Sequence, residues 1–485
     1  MKLRELLRGI EILSSTAEPD MELSGISCDS RSTAPGELFV AISGYASDGH
    51  RFIPMAVNRG AAAVLCQTPP AEDIPYIQVQ DSRRALATVS RNYYHNPGAE
   101  MTLIGVTGTN GKTTSTLLLK HILEDSLGAK VGLVGTNGNW IGDMELATER
   151  TTPDSYTLQK LFRQMADEGC THVVMEVSSH ALDQDRVAEL RFTVGVFTNL
   201  TQDHLDYHKT MENYAAAKAK LFSISDQGII NLDDPWAEYF LHQAKCPVST
   251  YAIDNSSAAL VAEAIRLLPD RVEFTAVMGE ERQEIRLGIP GRFSVYNALD
   301  VLACCHALGI SLEVSARSLS TAKGVKGRVE PVPTDGDYTV LIDYAHTPDA
   351  LENVLRTVRE TAPGRVVAVF GCGGDRDRGK RPIMGKIGTS LADFAIITSD
   401  NPRTEDPDSI IQEILSGVET DKSRYTAITD RSQAIAYAIN RHQSGDVILL
   451  AGKGHETYQE INHVKYPMDE REIVAEILER RKEST

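Results

Sequence analysis

The sequence predicts an α/β protein of three domains, with a central P-loop-type sheet and a carboxyl-terminal, doubly wound, Rossmann-like domain. Three observations predict it. The chain is 485 residues long, too long for one hydrophobic core at about 150 residues per domain. From residue 99 onward, apolar strands alternate with helical repeats, the mark of mostly parallel sheets. The run Gly108-Thr109-Asn110-Gly111-Lys112-Thr113-Thr114 stands between one such strand and one such helix.

The elements follow in order. Met1 to Ile10 is amphipathic, with Leu3, Leu6, Leu7 and Ile10 on one helical face. Residues 1–98 read as short strands and helices between turn signals, including strands at 37–42 and 62–66. Asn96-Pro97-Gly98 marks a boundary. Residues 99–328 form the central domain, with buried strands at 101–106, 172–177, 194–198 and 228–232. The stretch from 253 to 290 loses the parallel pattern and reads as an antiparallel excursion before a helix at 297–307. Residues 329–485 carry strands at 339–343, 366–370, 394–398 and 447–450 separated by helices. In such a domain ligands sit at the carboxyl ends of the strands.

The glycine loop has a physical reading. Strand, glycines and helix in that order cradle a phosphate, because loop N–H groups and the helix N-terminus point at the anion. Lys112 then reaches the terminal phosphates and Thr113 ligands Mg²⁺. The usual G-x-x-x-x-G-K-[ST] pattern requires glycine at 106, where Val106 stands. The shorter Gly108-x-x-Gly111-Lys112-Thr113 points toward ATP-dependent ligases that activate a carboxylate, and makes the central sheet that of an ATPase.

Composition narrows the partners. A net charge of −18 argues against nucleic acid and anionic membranes. No apolar run approaches the ~18 residues of a membrane span. Seven scattered cysteines without a C-x-x-C pair fit a reducing cytoplasm, with neither disulfide framework nor zinc site. Cys372, inside a glycine loop, reads as a small filler rather than a nucleophile.

Polar residues at strand ends carry the chemistry. Glu176, before Val177-Ser178-Ser179-His180, is a Mg²⁺ ligand candidate, since hard cations take oxygen donors. Asp203 and His204 follow another strand and suit a metal or a substrate. Lys218, by spacing alone, reads as a solvated helix lysine. Gly371-Cys372-Gly373-Gly374-Asp375-Arg376-Asp377-Arg378, Asp400-Asn401-Pro402-Arg403 and Gly452-Lys453-Gly454-His455-Glu456 each follow a strand of the third domain. Acids and arginines on one rim make a pocket for a zwitterion.

With these residues in view, the chain resembles the Mur ligase family of peptidoglycan synthesis over essentially its whole length. The motifs are Asp29-Ser30-Arg31, the phosphate loop, Thr151-Thr152-Pro153, Glu176 to His180, Asp203-His204 and Ala217-Lys218. Gly291-x-Phe293-x-x-x-Asn297, Gly327-Arg328-x-Glu330, Asp343-Tyr344-Ala345-His346-Thr347-Pro348 and the three rim clusters complete them. The resemblance implies an ADP-forming amide ligase of the cytoplasm, serving cell-wall biogenesis, cell shape and division. It would add meso-2,6-diaminopimelate to UDP-N-acetylmuramoyl-L-alanyl-D-glutamate, with ATP as co-substrate and Mg²⁺ as cofactor. All its partners are small molecules, and a monomer is expected.

The resemblance also implies roles. Ser30, Thr151, Thr152, Ser178, Gln184 and Arg186 would hold the UDP-muramoyl dipeptide. Gly108 through Thr114 would hold ATP, with Asn297 toward adenine, Asp343 toward ribose and Arg328 near the phosphates. Thr113 and Glu176 would bind one Mg²⁺. Lys218, as an N6-carboxylysine carbamate, would bind a second with His204. Lys112, Glu176, His204 and Lys218 would be catalytic. Arg376, Asp400, Asn401, Pro402, Arg403, Gly452 and Glu456 would hold diaminopimelate, with Arg403 on its distal carboxylate. A lysine-adding ligase, a folate polyglutamate ligase and a nucleotide-regulated scaffold are the competing readings.

Overall fold

Burial on both faces marks the central strands of the sheets. The computed structural model describes residues 1–483 other than 45, 46, 149, 323 and 420. The chain divides into two compact units, Met1–Leu260 with Asp300–Ser311, and Val261–Leu299 with Leu312–Thr485.

The first unit contains two sheets. The amino-terminal one has the order Ile12–Ser15, Tyr76–Val79, Ala63–Cys66, Glu37–Val40, Gly25–Ser27, parallel except for its first strand. Its core gathers Leu38, Val40, Leu65, Ile77 and Val79 under Leu86 and Val89 of the helix Ser82–Tyr93. Asp81 caps that helix by accepting from the N–H groups of Arg83 and Arg84. The helix expected over the first ten residues is a single turn, Leu3–Leu6, because Gly9 takes a left-handed φ of 87° and turns the chain away. Leu3 and Leu6 are nonetheless buried in the core.

The second sheet positions the phosphate loop. Its parallel strands run Val248–Ala252, Ser225–Asn231, Phe192–Phe197, Thr102–Thr107, His172–Glu176, Val131–Gly135, with Gly138–Ile141 and Met144–Leu146 added antiparallel at the edge. The loop-bearing strand Thr102–Thr107 lies between Phe192–Phe197 and His172–Glu176. That central place buries it on both faces, which is why it reads as an unbroken apolar run. The two antiparallel edge strands escaped the sequence reading; they are short and glycine-flanked.

The strands Leu260–Leu267, which enters the second unit at Val261, Val272–Met278 and Glu281–Leu287 are successively antiparallel, as the loss of the parallel pattern predicted. The helix expected at 297–307 begins earlier, at Arg292. The carboxyl-terminal sheet has the order Glu330–Val332, Thr339–Asp343, Val447–Ala451, Val366–Phe370, Phe394–Ile397, Tyr425–Ala427, parallel but for its first strand. Period-2 alternation sends Leu341, Leu449, Ala368 and Phe370 to one face, against the helices Pro348–Thr361, Lys380–Leu391 and Pro407–Leu415. Val340, Ile342, Ile448 and Val369 go to the other, under Arg431–Asn440 and Glu470–Glu483. This is the doubly wound arrangement the sequence predicts. No helix among the described residues is long and apolar enough to cross a membrane.

One buried ion pair ties the strand ends of this sheet. Arg431 and Glu470 are both fully buried, Nε donating to Oε1 at 2.8 Å. The same guanidinium donates to the carbonyls of Ala451 at 2.9 Å and Ser399 at 3.4 Å. Removing one partner leaves an uncompensated charge in the core, so Glu470→Ala is expected to cost about 3–5 kcal/mol. Urea unfolding of the variant measures this; a loss below about 1 kcal/mol would contradict the role of the pair.

Candidate functional site

The phosphate loop is locked from below and from one side. Gly108 has φ 148°, and a Cβ there would stand 1.9 Å from Thr198 Oγ1, so only glycine fits. Thr198 Oγ1 donates to the carbonyl of Asn110 at 2.6 Å, and Asn199 Oδ1 accepts from the Asn110 N–H at 3.0 Å. Gly111, at φ 88°, opens the helix Lys112–Leu127. Lys112 Nζ donates to the loop carbonyls of Gly108 at 3.0 Å and Thr109 at 2.8 Å.

Glu176 is 1% exposed at the end of its strand, as expected, and is the hub of the site. Its Oε1 accepts from Thr113 Oγ1 at 3.0 Å and from the Thr136 N–H at 2.9 Å. Its Oε2 accepts from Thr136 Oγ1 at 3.1 Å. Thr136 Oγ1 is in turn 2.9 Å from Thr151 Oγ1. The Glu176 carbonyl accepts from Thr152 Oγ1 at 2.8 Å, and Thr152 Oγ1 accepts from the Ser178 N–H at 3.1 Å. Arg186 donates to the Thr152 carbonyl at 2.8 Å and to Gln184 Oε1 at 2.7 Å. Thr113, Glu176, Thr151, Thr152, Ser178, Gln184 and Arg186 thus belong to one hydrogen-bonded chain. A hydroxyl and a carboxylate oxygen 3.0 Å apart beside a phosphate loop are a donor set suited to Mg²⁺.

Lys218 corrects the reading from spacing: it is 1% exposed, not solvated. Its Nζ donates to the carbonyl of Gly108 at 2.7 Å and sits 4.6 Å from the ring centre of Tyr214, one helical turn earlier. Burial, then the charge of Lys112, push its pKa well below the ordinary lysine value, with Asp203 opposing. His204, half exposed and in a left-handed conformation at φ 52°, faces the edge of the same tyrosine at 6.1 Å. Its backbone N–H donates to Asp203 Oδ1 at 2.8 Å. Tyr214 therefore links His204 to Lys218. Burial pushes neighbouring His208 down to about 4, and its Nε2 bonds Ser179 Oγ at 2.9 Å.

A cavity of about 730 Å³ in the same unit is lined by Ser30, Gln184 and Arg186, with Phe52, Arg83 and Arg150. The guanidinium of Arg31 on its rim pairs with Asp29 at 2.7 Å.

The second unit holds a cavity of about 720 Å³ at the carboxyl ends of its strands. Arg376, Asp400, Asn401, Arg403, Gly452 and Glu456 all line it, and Pro402 supports the wall from behind, its carbonyl close over Gly374. Asp400 Oδ2 is buried without a hydrogen-bond partner among the described residues. A Cβ on Gly452 would stand 2.6 Å from it, so glycine is what leaves that oxygen its room. Fully buried Lys453 donates to Asn401 Oδ1 at 2.8 Å and Glu456 Oε2 at 2.9 Å, while Asn401 Nδ2 donates to Glu456 Oε2 at 2.8 Å. Buried Arg381 holds Glu405 at about 2, bracing the adjacent loop. Cys372 is a filler as expected: burial pushes its thiol up to about 12, and Sγ contacts Met384 Sδ at 3.5 Å.

Also in this unit, Asn297 Nδ2 is buried without a partner among the described residues. Asp343 accepts from the N–H groups of Val329 and Ala345, each at 2.8 Å, and Arg328 lies over the Tyr344 ring at 5.3 Å.

Sequence reasoning missed Thr136, Tyr214 and Asn199. Signals existed for two: Thr136 follows a strand, in Gly135-Thr136-Asn137-Gly138, and Tyr214 stands four residues before Lys218, on the same helix face.

A short glycine loop on a parallel sheet, with a buried strand-end carboxylate against its helix, defines a phosphate-binding α/β protein. Three family profiles match the chain: "Mur ligase family, catalytic domain" over residues 22–94, "Mur ligase middle domain" over 106–305 and "Mur ligase, glutamate ligase domain" over 327–454. The chain belongs to the Mur ligase family. It is 48% identical to the UDP-N-acetylmuramoyl-L-alanyl-D-glutamate–2,6-diaminopimelate ligase of Clostridium tetani, over 99% of both chains. It is 46% identical to the protein of that name from Clostridium botulinum, again over 99% of both. A solved structure bearing the same name superposes with a TM-score of 0.77 at 33% identity, covering 99% of each chain. MurF from Acinetobacter baumannii shares the fold, with a TM-score of 0.62 at 19% identity.

A buried Lys218 whose pKa is depressed weakens the fold, because between its folded and unfolded values the unfolded chain binds a proton that the folded one excludes. Lys218→Met is therefore expected to stabilise the protein by about 1–3 kcal/mol at pH 7 in bicarbonate-free buffer. The gain shrinks as pH rises toward ~10.4, where the unfolded lysine also loses its proton. Urea unfolding across that pH range checks both statements, and a destabilised variant at pH 7 would contradict them.

Proposed function

We propose that this protein is an ATP-dependent, ADP-forming ligase that adds meso-2,6-diaminopimelate to UDP-N-acetylmuramoyl-L-alanyl-D-glutamate in peptidoglycan synthesis. The observation that carries the reading is the 720 Å³ cavity, which sets the unpartnered carboxylate oxygen of Asp400 beside Arg376 and Arg403. A diamino diacid needs both signs of charge at its recognition site. The full-length relatives named for this reaction support the choice of substrates.

We assign residues 1–98 to the UDP-muramoyl substrate, 99–328 to ATP and 329–485 to the amino acid. The 730 Å³ cavity with Ser30, Gln184 and Arg186 suits the UDP-sugar dipeptide, and Thr151, Thr152 and Ser178 continue toward the reacting carboxylate. ATP takes the loop Gly108 to Thr114. Asn297 is assigned to adenine on the strength of its unpartnered amide, Asp343 to ribose and Arg328 to the phosphates. Thr113 and Glu176 would hold Mg²⁺, which when bound supplies positive charge to the phosphate oxygens. The neutral amine of Lys218 is the form that adds CO₂, losing a proton and becoming a carbamate; with His204 it would hold a second ion.

The chemistry runs in two displacements. The dipeptide's glutamyl carboxylate attacks the γ-phosphorus of ATP, the bond to ADP breaks, and an acyl phosphate forms. Lys112, released from the loop carbonyls, stabilises charge on the transferring group. The diaminopimelate amine then attacks the acyl carbon, giving a tetrahedral intermediate that loses a proton and expels phosphate. Asp400 and Arg403 hold the amino acid by its far end, so that its position depends on a rigid wall.

Two experiments test the reading. In an assay with ATP and the UDP-muramoyl dipeptide, diaminopimelate should be used and lysine used poorly. Arg403→Ala should lower kcat/KM for diaminopimelate by at least about 100-fold, with little change in ATP binding. Equal use of lysine and diaminopimelate by the wild-type protein would refute the assignment. With the glutamyl carboxylate labelled by ¹⁸O, label should appear in the released phosphate; its absence would exclude the acyl phosphate.

A further inference from the structure

The wall of the amino-acid cavity has an outer support that the reaction itself does not explain. The strands Tyr458–Ile461 and Val464–Pro467 form a two-stranded hairpin separate from the main sheet. Its turn residues Asn462 and His463 both have positive φ, 49° and 64°, the geometry of a tight type I′ connection.

The hairpin grips Asp400-Asn401-Pro402-Arg403 through backbone and side chains together. Arg403 is itself left-handed, at φ 51°, a conformation a residue with a long side chain keeps only when its surroundings impose it. Its N–H donates to the Glu460 carbonyl at 3.0 Å, and its carbonyl accepts from the Asn462 N–H at 2.8 Å. Gln459 Nε2 donates to the Asp400 carbonyl at 2.7 Å, and the Glu460 N–H donates to Asn401 Oδ1 at 2.9 Å. Lys453, buried beneath, also donates to the Tyr458 carbonyl.

The side chain of Glu460 then aims the guanidinium. Its Oε2 accepts from Arg403 Nε at 3.0 Å, and the Gly374 carbonyl accepts from Nη1 at 2.9 Å. Two acceptors on two different nitrogens fix the plane of the fork, and among the described residues nothing accepts from Nη2. Both side chains are about one-fifth exposed, at 19% and 21%. A pair so largely shielded from water holds its geometry, and a charge-assisted bond to Nε fixes the orientation of the fork.

We propose that Glu460 is a positioning residue for amino-acid selectivity. It holds Arg403 in the single orientation that presents its remaining donors to the distal carboxylate of the incoming amino acid. The inference rests on the diaminopimelate reading of this cavity and deepens it by naming what sets the discrimination. Glu460 touches no reacting atom.

The test compares Glu460→Ala and Glu460→Gln with the wild-type protein in steady-state kinetics, varying each substrate. Glutamine keeps an oxygen that accepts from Nε; alanine does not. Glu460→Ala is expected to raise KM for diaminopimelate about tenfold and to narrow the preference over lysine by a similar factor. Its kcat and its KM for ATP should change less than about twofold, and Glu460→Gln should recover most of the loss. An unchanged KM for diaminopimelate in Glu460→Ala would overturn the inference while leaving the proposed reaction standing. Equal rises in the KM of ATP and of diaminopimelate would overturn it as well, by making the residue merely structural. If Glu460→Ala does not fold, failure of Glu460→Gln to keep a wild-type KM and preference decides against it. A wild-type protein that ignores diaminopimelate overturns the reaction and the inference together.

Discussion

A carboxylate buried at the end of a parallel strand must be surrounded by donors; those of the Glu176 carboxylate come from two loops, and a third loop bonds the same residue's backbone carbonyl. Thr113 belongs to the phosphate loop, Thr136 to the turn after the neighbouring strand, and Thr152 reaches the backbone carbonyl of the same residue. The cost of leaving any of these buried groups unpaired is about 1–3 kcal/mol. That constraint fixes the mutual positions of the loops more firmly than apolar packing would, since apolar contacts tolerate sliding. The strand order serves it: Thr102–Thr107 lies beside His172–Glu176, which lies beside Val131–Gly135.

The second unit solves the same problem with charges. Arg431, Lys453 and Arg381 are fully buried cations at the strand ends, and each spends its donors on loop carbonyls, amides or carboxylates that shape the cavity. Replaced by hydrocarbon they would leave the loops without fixed partners. Buried polar networks of this kind specify one arrangement when every member is satisfied. Among the described residues a few buried atoms of this unit have no hydrogen-bond partner, Arg381 Nε and Glu470 Oε2 within the networks and Asp400 Oδ2 on a residue that lines the cavity.

Much of this was legible beforehand. The strand at 339–343 and that at 366–370 have the bounds their apolar runs suggest, because both faces are buried and the pattern has no gaps. The three rim clusters meet in one cavity because a parallel sheet puts every strand's carboxyl end on the same side. The environment of Lys218 was not legible. The partner that buries it, Gly108, is 110 residues away, and nothing in an alanine-rich helical segment distinguishes a core lysine from a surface one. Glu460 escaped for a related reason: its meaning comes from a left-handed backbone at Arg403, which no side-chain pattern reports. The short helix at the amino terminus failed differently, since one glycine overrode an otherwise sound periodicity.

The carbonyl of Gly108 accepts from Lys112 and from Lys218, which fills both of its lone pairs with amino groups. Addition of CO₂ to the second of these would leave one N–H to keep that bond while placing a negative group where an amine had been. The floor of the loop would thereby gain a negative charge, turning a residue that the Lys112 charge keeps from protonating into one that attracts cations. A single peptide oxygen would then be the fixed point beside which that charge is installed.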